Sequence, residues 1–178
     1  MKLPDKCPYL RSAKHWIPYY EDAAPCCRID DFDLAVFLPR QVPMCGEIRQ
    51  AVEAYRFIWR SRFQGEALVH VSKGEKTIGL EWACRGRQGQ GRFSKILEPD
   101  DWTRLESALL AAEFWEIALE EKKSEETVRL EGASWVIEGR RREIYGVVRL
   151  NNPRGPLHDL GRAFFDIAGP PITDIALH

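Results

Sequence analysis

Residues 52–63, VEAYRFIWRSRF, constrain the fold more than any other stretch of the chain. Tyr55, Phe57, Trp59 and Phe63 fall at one parity, and Arg56, Arg60 and Arg62 at the other. Successive side chains of a strand point to opposite faces, so this period of two predicts a strand with one buried and one solvated side. ALVHVSK (67–73) and KTIGLEWAC (76–84) continue the β signal, and Gly74-Glu75 between them suits a tight hairpin turn. On that register His70 falls opposite Gly79, while Ile78, Leu80, Trp82 and Cys84 share one face. RFSKILE (92–98) is the fourth expected strand, after a glycine-rich loop, RGRQGQG (85–91).

A helical pattern follows. In EPDDWTRLESALLAAEFW, Trp102, Leu105, Leu109 and Ala112 recur at helical spacing. Asp100 is the expected cap, with Asp101 in the first turn, where a carboxylate meets the positive end of the helix dipole. Phe114, Trp115 and Ile117 are expected to pack where this helix ends, and EEKKSEET (120–127) reads as a solvated connection. SWVIEGRRREIYGVVRL (134–150) then alternates on both sides of Arg140-Arg141-Arg142. Val136, Glu138 and Arg140 share one face and Trp135 and Ile137 the other, so the arginines mark a chain reversal between two strands. PLHDLGRAFFDIAG (156–169) is the last helix, lined by Leu157, Leu160, Phe164 and Ile167, with His158 expected at its surface. Gly169, Pro170 and Pro171 stop it. Four strands, a helix, two strands and a helix, without βαβ alternation, predict an α+β fold. It has a mostly antiparallel sheet of about six strands packed against two helices.

Residues 1–45 have another character and are expected to form an irregular arm, with 46–178 as the α+β domain. Six of the 11 prolines and four of the five cysteines lie in the arm. Proline fixes φ and removes a backbone donor, which breaks regular structure. Trp16, Tyr19, Tyr20 and Phe32 argue that the arm wraps on the domain, because free tails seldom keep so many aromatics. A chain of 178 residues suffices for one such domain with a real core. No apolar run approaches the roughly 20 residues that span a bilayer. No apolar stretch precedes the first proline of MKLPDKCPYL, so no signal peptide is expected and the cytoplasm is the expected compartment. In that reducing setting Cys7, Cys26, Cys27, Cys45 and Cys84 are expected to be thiols.

Chemical motifs are weak. Gly86, Gly89 and Gly91 have the spacing G-x-x-G-x-G and join two strands instead of opening a helix, so a hairpin loop explains them better than a phosphate cradle. Cys7, Cys26, Cys27 and Cys45 form no C-x-x-C pair, and no metal or cofactor is expected. Cys84 and His70 lie on neighbouring strands but too far apart along them to form a nucleophile and its base. Glu81 and Glu138 sit in strands, and with 18 arginines in the chain ion pairing is their leading explanation. Such pairs are individually weak at a surface.

The segments AYRFIWRSRF, EFW and SWVIEGRRREIYGVVRLNNP resemble a pattern of poorly characterised small bacterial α+β proteins. In that pattern an arginine- and aromatic-rich strand leads to an FW helix end, a W-x-(I/L)-E-G strand and a closing leucine-rich helix. The resemblance covers 52–169. It implies a bacterial source and carries no activity with it.

Twenty-six basic residues face 27 acidic ones. That balance argues against a dedicated nucleic-acid binder, whose affinity comes largely from phosphate neutralisation. The leading expectation is a non-enzymatic protein-binding module, of the immunity type that neutralises a toxin by direct binding. Asp30, Asp31 and Asp33, with Arg85, Arg87, Arg92, Arg140, Arg141 and Arg142, would supply electrostatic complementarity to the partner. Two rivals are an enzyme using a strand carboxylate or cysteine, and a nucleic-acid binder in which the two arginine-rich loops converge. A homo-oligomer is compatible with all three.

Overall fold

The aromatic strand expected from 52–63 lies at the centre of the sheet. The computed structural model describes residues 52–169 apart from 62, 87–88, 120–132 and 143. Its strands are β1 (Glu53–Ser61), β2 (Gly65–Lys73), β3 (Ile78–Gly86), β4 (Gly89–Ile96), β5 (Ala133–Arg141) and β6 (Ile144–Asn151). Its helices are α1 (Pro99–Ala111), the short α2 (Phe114–Leu119) and α3 (Pro156–Ala168). The sheet order is β4-β3-β2-β1-β5-β6, with every neighbouring pair antiparallel. This is the expected α+β arrangement, with α2 added. Among the described residues no helix is long and apolar enough to cross a membrane.

The helices share one face of the sheet with the main core. Tyr55, Phe57 and Trp59 enter it from β1, joined by Trp102 and Leu105 of α1, Phe114 of α2, and Phe164 and Phe165 of α3. Phe57 lies 5.0 Å from Trp135 and 5.3 Å from Phe165, while Tyr55 meets Trp102 at 5.9 Å and Phe114 at 6.0 Å. One parity of one strand therefore touches all three helices. Such aromatic contacts add about 0.5–1.5 kcal/mol each beyond area burial.

The other parity departs from expectation. Arg56 and Ile58 are only 0% and 2% exposed, so the second face of β1 is not solvated. A central strand has neighbours on both edges, so side chains on its second face are shielded sideways by those of the adjoining strands. Phe63 falls in the turn beyond β1 and is 60% exposed, instead of extending the aromatic face.

Several boundaries also move. The β2–β3 turn is centred one residue later, on Glu75-Lys76, where the Gly74 N–H donates to the Thr77 carbonyl at 2.9 Å. His70 consequently pairs with Glu81, not Gly79. The supposed 85–91 loop is largely strand, since Gly86 pairs with Gly89. Glu98, not Asp100, is the N-cap of α1, because Pro99 takes the first helical position. Proline is suited to that position, its missing N–H being one that has no helical partner anyway. Glu113, at φ 48°, ends α1 and lets α2 begin as a separate turn. His158 is half-buried against Trp135, their rings 5.7 Å apart, where a surface position was expected. Pro170, Pro171 and the expected arm lie outside the described residues.

Close approach of helix and sheet requires two particular glycine contacts. A Cβ on Gly161 of α3 would lie 2.0 Å from Cζ3 of Trp135, and one on Gly139 of β5 would lie 2.5 Å from Cε1 of Phe114. Gly161→Ala gains up to about 1 kcal/mol of helix propensity, yet drives a methyl group into a ring held by the core. Overpacking of this kind costs about 1–3 kcal/mol and should win. A lower urea midpoint with an unchanged m-value is the expected result.

Candidate functional site

The second sheet face carries a transverse polar row. Strand register sets Glu138 beside Arg56, Arg56 beside His70, His70 beside Glu81 and Glu81 beside Ser94. The row thus crosses β5, β1, β2, β3 and β4. Arg56 Nη1 lies 3.3 Å from Glu138 Oε2, with both side chains fully buried. The Tyr145 hydroxyl donates to the other carboxylate oxygen, Oε1, at 2.8 Å. Desolvating two ions is expensive, so the hydrogen bond from Tyr145 and the tight cross-strand register are needed to hold the pair. Glu138 is therefore the arginine partner expected from sequence, but in a buried setting where the energetics of surface pairs do not apply.

Burial, with a smaller contribution from the neighbouring Arg56 charge, pushes the His70 imidazole down to about 3. It is neutral across the physiological range. Glu81 faces water at the far end of the row, where Arg92 Nη2 lies 3.3 Å from its Oε2. An open depression of about 550 Å³ adjoins this end, lined in part by His70, Ser72, Glu81, Ser94 and Ile96. Gly79, opposite Ser72 in the register, contributes no side chain to fill it.

One step along the strands runs an apolar row, Val136, Ile58, Leu68 and Ala83, which forms a second buried cluster. Arg149 pairs with Val136 at one end of this row and Arg92 with Ala83 at the other. This row is therefore apolar in the middle and basic at both ends.

The three consecutive arginines are not brought together. Arg140 belongs to the second face, and its Nε donates to the Arg142 carbonyl at 3.1 Å. Arg141 belongs to the helix-bearing face, where its Nε meets Glu53 Oε1 at 2.7 Å and its Nη2 the Tyr55 hydroxyl at 3.4 Å. The Tyr55 hydroxyl in turn donates to Glu53. Burial and the Glu53 carboxylate push that phenol well above its ordinary value. Arg141 is thus a strut bonded at the strand ends. Only Arg142, at φ 53°, occupies the tip of the turn. The reversal expected at this cluster is present, with Arg141 and Arg142 exposed and Arg140 half-buried.

The two arginine-rich segments lie at opposite ends of the sheet. Gly86 and Gly89 share the end at which β1 finishes in Ser61, while Arg141 pairs with Glu53 at its start. Nine residues of β1 separate those ends by roughly 26 Å at about 3.3 Å per residue. Among the described residues the two segments do not converge on one surface. Arg85 pairs through its backbone with Glu66 and Gln90. Arg87, like Asp30, Asp31 and Asp33, lies outside the described residues, as do Cys7, Cys26, Cys27 and Cys45.

Cys84 pairs with Ala67 and takes the core-facing parity, opposite to that of His70. Burial pushes its thiol up. A thiol whose ionisation burial disfavours, with His70 on the other face, is poorly arranged for that histidine to activate it. Among the described residues there is no group of three or more His, Cys, Asp or Glu side chains placed to hold a metal ion.

Sequence reasoning missed His70 and the burial of Arg56. The available signal was density: Ala54 to Trp59 contains only one charged residue, more typical of a strand covered on both faces than of one side in water. Compared with known protein-family models, curated proteins and solved structures, the chain matches none.

Arg56→Met should destabilise the fold by about 3–5 kcal/mol, because it strands the Glu138 carboxylate without its counter-ion. Adding Glu138→Leu should recover most of that loss, which a double-mutant cycle by urea denaturation would read. His70 contributes a separate pH dependence. Between pH about 6.5 and about 3 the unfolded imidazole binds a proton that the folded one refuses. Stability therefore falls as pH falls through this window, by at most about 1.4 kcal/mol per pH unit from this residue. His70→Gln should flatten that slope relative to wild type; parallel stability curves would contradict the assignment.

Proposed function

We propose that the protein is a non-enzymatic binding module that engages a protein partner through the free edge of β4 and the adjoining depression. Neutralisation of a toxin by direct binding, as in immunity-type proteins, is the specific form we infer. One observation carries the reading: Arg92 to Ile96 are five consecutive exposed residues on an edge strand, including Phe93 at 50% and Ile96 at 74% exposure. No described strand pairs with the outer side of β4. An exposed edge offers a row of backbone donors and acceptors to an incoming strand, and its side chains set the specificity.

The side chains fit a foreign partner better than a second copy. Phe93 stacks on Trp82 with ring centroids 4.4 Å apart, giving an aromatic shelf on one side of the edge. Ile96 borders the depression on the other side. Arg92 and Lys95 are exposed on the same strand, so two copies paired edge to edge would bring like charges together. An acidic partner strand would meet them favourably.

Support for an enzyme is thinner. The depression includes Glu81 and His70, but Glu81 pairs with Arg92, and His70, pushed down to about 3, is a weak base at neutral pH. Glu138 is committed to Arg56 and Tyr145. For nucleic-acid binding, the described parts of the two arginine-rich segments lie at opposite ends of the sheet and lend that reading no support.

Affinity capture from the native host, repeated at several salt concentrations, should recover one stoichiometric protein partner. Ile96→Asp should weaken capture at least tenfold while changing stability by no more than about 0.5 kcal/mol, as expected for an exposed position. Recovery of no partner, or capture indifferent to Ile96→Asp and Phe93→Asp, would count against the proposal.

A further inference from the structure

The ladder between β3 and β4 fixes which backbone groups of β4 point outwards. The Leu97 N–H donates to the Ile78 carbonyl at 2.8 Å, one step beyond the Gly79–Ile96 pair of the register. Residues directly opposite each other in an antiparallel pair alternate between those that exchange both backbone bonds and those that exchange none. Lys95 and Phe93 therefore direct their N–H and C=O groups at Leu80 and Trp82. Ile96, Ser94 and Arg92 turn theirs the other way, towards a side on which no described strand lies.

Side chains divide by the same parity. Phe93 and Lys95 lie on the helix-bearing side: Phe93 stacks on Trp82 of the main core, and Lys95 Nζ is 3.9 Å from a Cβ built on Gly169, just past α3. Arg92, Ser94 and Ile96 lie on the second face, where Arg92 meets Glu81 and the other two line the depression. All five are exposed.

We infer that this edge takes an antiparallel partner strand whose consecutive residues, read from N to C, are apolar, acidic, small polar, aromatic and acidic. The inference rests on the β4 edge being the binding surface, and adds the register and sequence of what binds there. Antiparallel pairing continues the arrangement of every other pair in the sheet and is the slightly more stable kind per residue. A strand bonded to Ile96, Ser94 and Arg92 sets the residues opposite Lys95 and Phe93 in non-hydrogen-bonded positions, where side chains come closest. Those two positions carry most of the selectivity: a carboxylate against Lys95 and an aromatic ring against Phe93. On the second face an apolar side chain meets Ile96, and a small polar one fits beside Ser94 at the depression. A second carboxylate meets the Arg92 guanidinium, which Glu81 engages from the inner side at 3.3 Å. A basic strand is rejected, because like charges directly opposite destabilise a pair. The same residues in reverse order put carboxylates against Ile96 and Phe93.

The test titrates the full chain into fluorescein-labelled peptides, capped at both ends, and reads anisotropy. A peptide with the core Val-Glu-Thr-Tyr-Glu is expected to bind saturably, one per chain, and its reversed core Glu-Tyr-Thr-Glu-Val at least tenfold more weakly. K95E, with folded tryptophan emission as the check on its integrity, should lose at least tenfold towards the first peptide. It should gain at least tenfold towards a peptide in which the glutamate opposite position 95 is replaced, Val-Lys-Thr-Tyr-Glu. Equal binding of forward and reversed peptides, or indifference to K95E, would overturn the register, and no binding of any peptide would overturn the inference outright. A dimer of the chain that excludes the peptide, seen by sedimentation, would also overturn it, since a second copy then holds the edge. Whether the edge is a binding surface at all is read separately, from the Ile96→Asp effect on capture, so the two failures are distinguishable.

Discussion

Everything in this fold depends on β1 being buried on both sides. Its aromatic parity, Tyr55, Phe57 and Trp59, is the surface on which all three helices pack. Its other parity places Arg56 among strands that must then supply a counter-ion, and Glu138 of β5 does so at 3.3 Å. The two faces are coupled through register. A slip of one residue between β1 and β5 would separate Arg56 from Glu138 and also turn Trp135 away from Phe57. A buried charge pair is weak evidence of net stability, but here it is joined to a register that the helix-side core requires as well.

The same geometry distributes chemistry unevenly. At the centre of the second face, charge is neutralised by pairing or suppressed by burial: Arg56 with Glu138, and His70 held neutral. Towards β4 the sheet becomes open, and Glu81, Arg92, Phe93 and Ile96 face solvent. At the opposite edge α2 lies against β6, where a Cβ on Gly146 would approach the Ala118 side chain to 2.7 Å. α2 thus covers the helix-side face of β6, while the outer strand β4 carries a run of exposed side chains.

Much of this was legible in the sequence, and the failures have physical causes. The strand alternations, the α1 stripe of Trp102, Leu105 and Leu109, and the reversal at Arg140–Arg142 all reflect local periodicity, and all recur in the structure. The β2–β3 turn was misplaced by one residue because glycine at 74 suited a turn position that the hydrogen bond to Thr77 shifts onward. Arg141 is exposed, as three adjacent arginines at a chain reversal suggested, but its bonding was not legible. Strand parity also sends it to Glu53 and Tyr55, in a strand more than 80 residues away.

Sequence by itself determined the kinds of element, their order and which parity of each strand is apolar, because these follow from the short-range geometry of the backbone. It also placed Glu81 and Glu138 in strands among many available arginines. Only the tertiary structure decided that β5 would return to pair beside β1, and with it that Arg56 would be buried, paired and next to a neutral His70. Those outcomes depend on which strands become neighbours. That choice is set by contacts among residues far apart in the chain, where local periodicity carries no information.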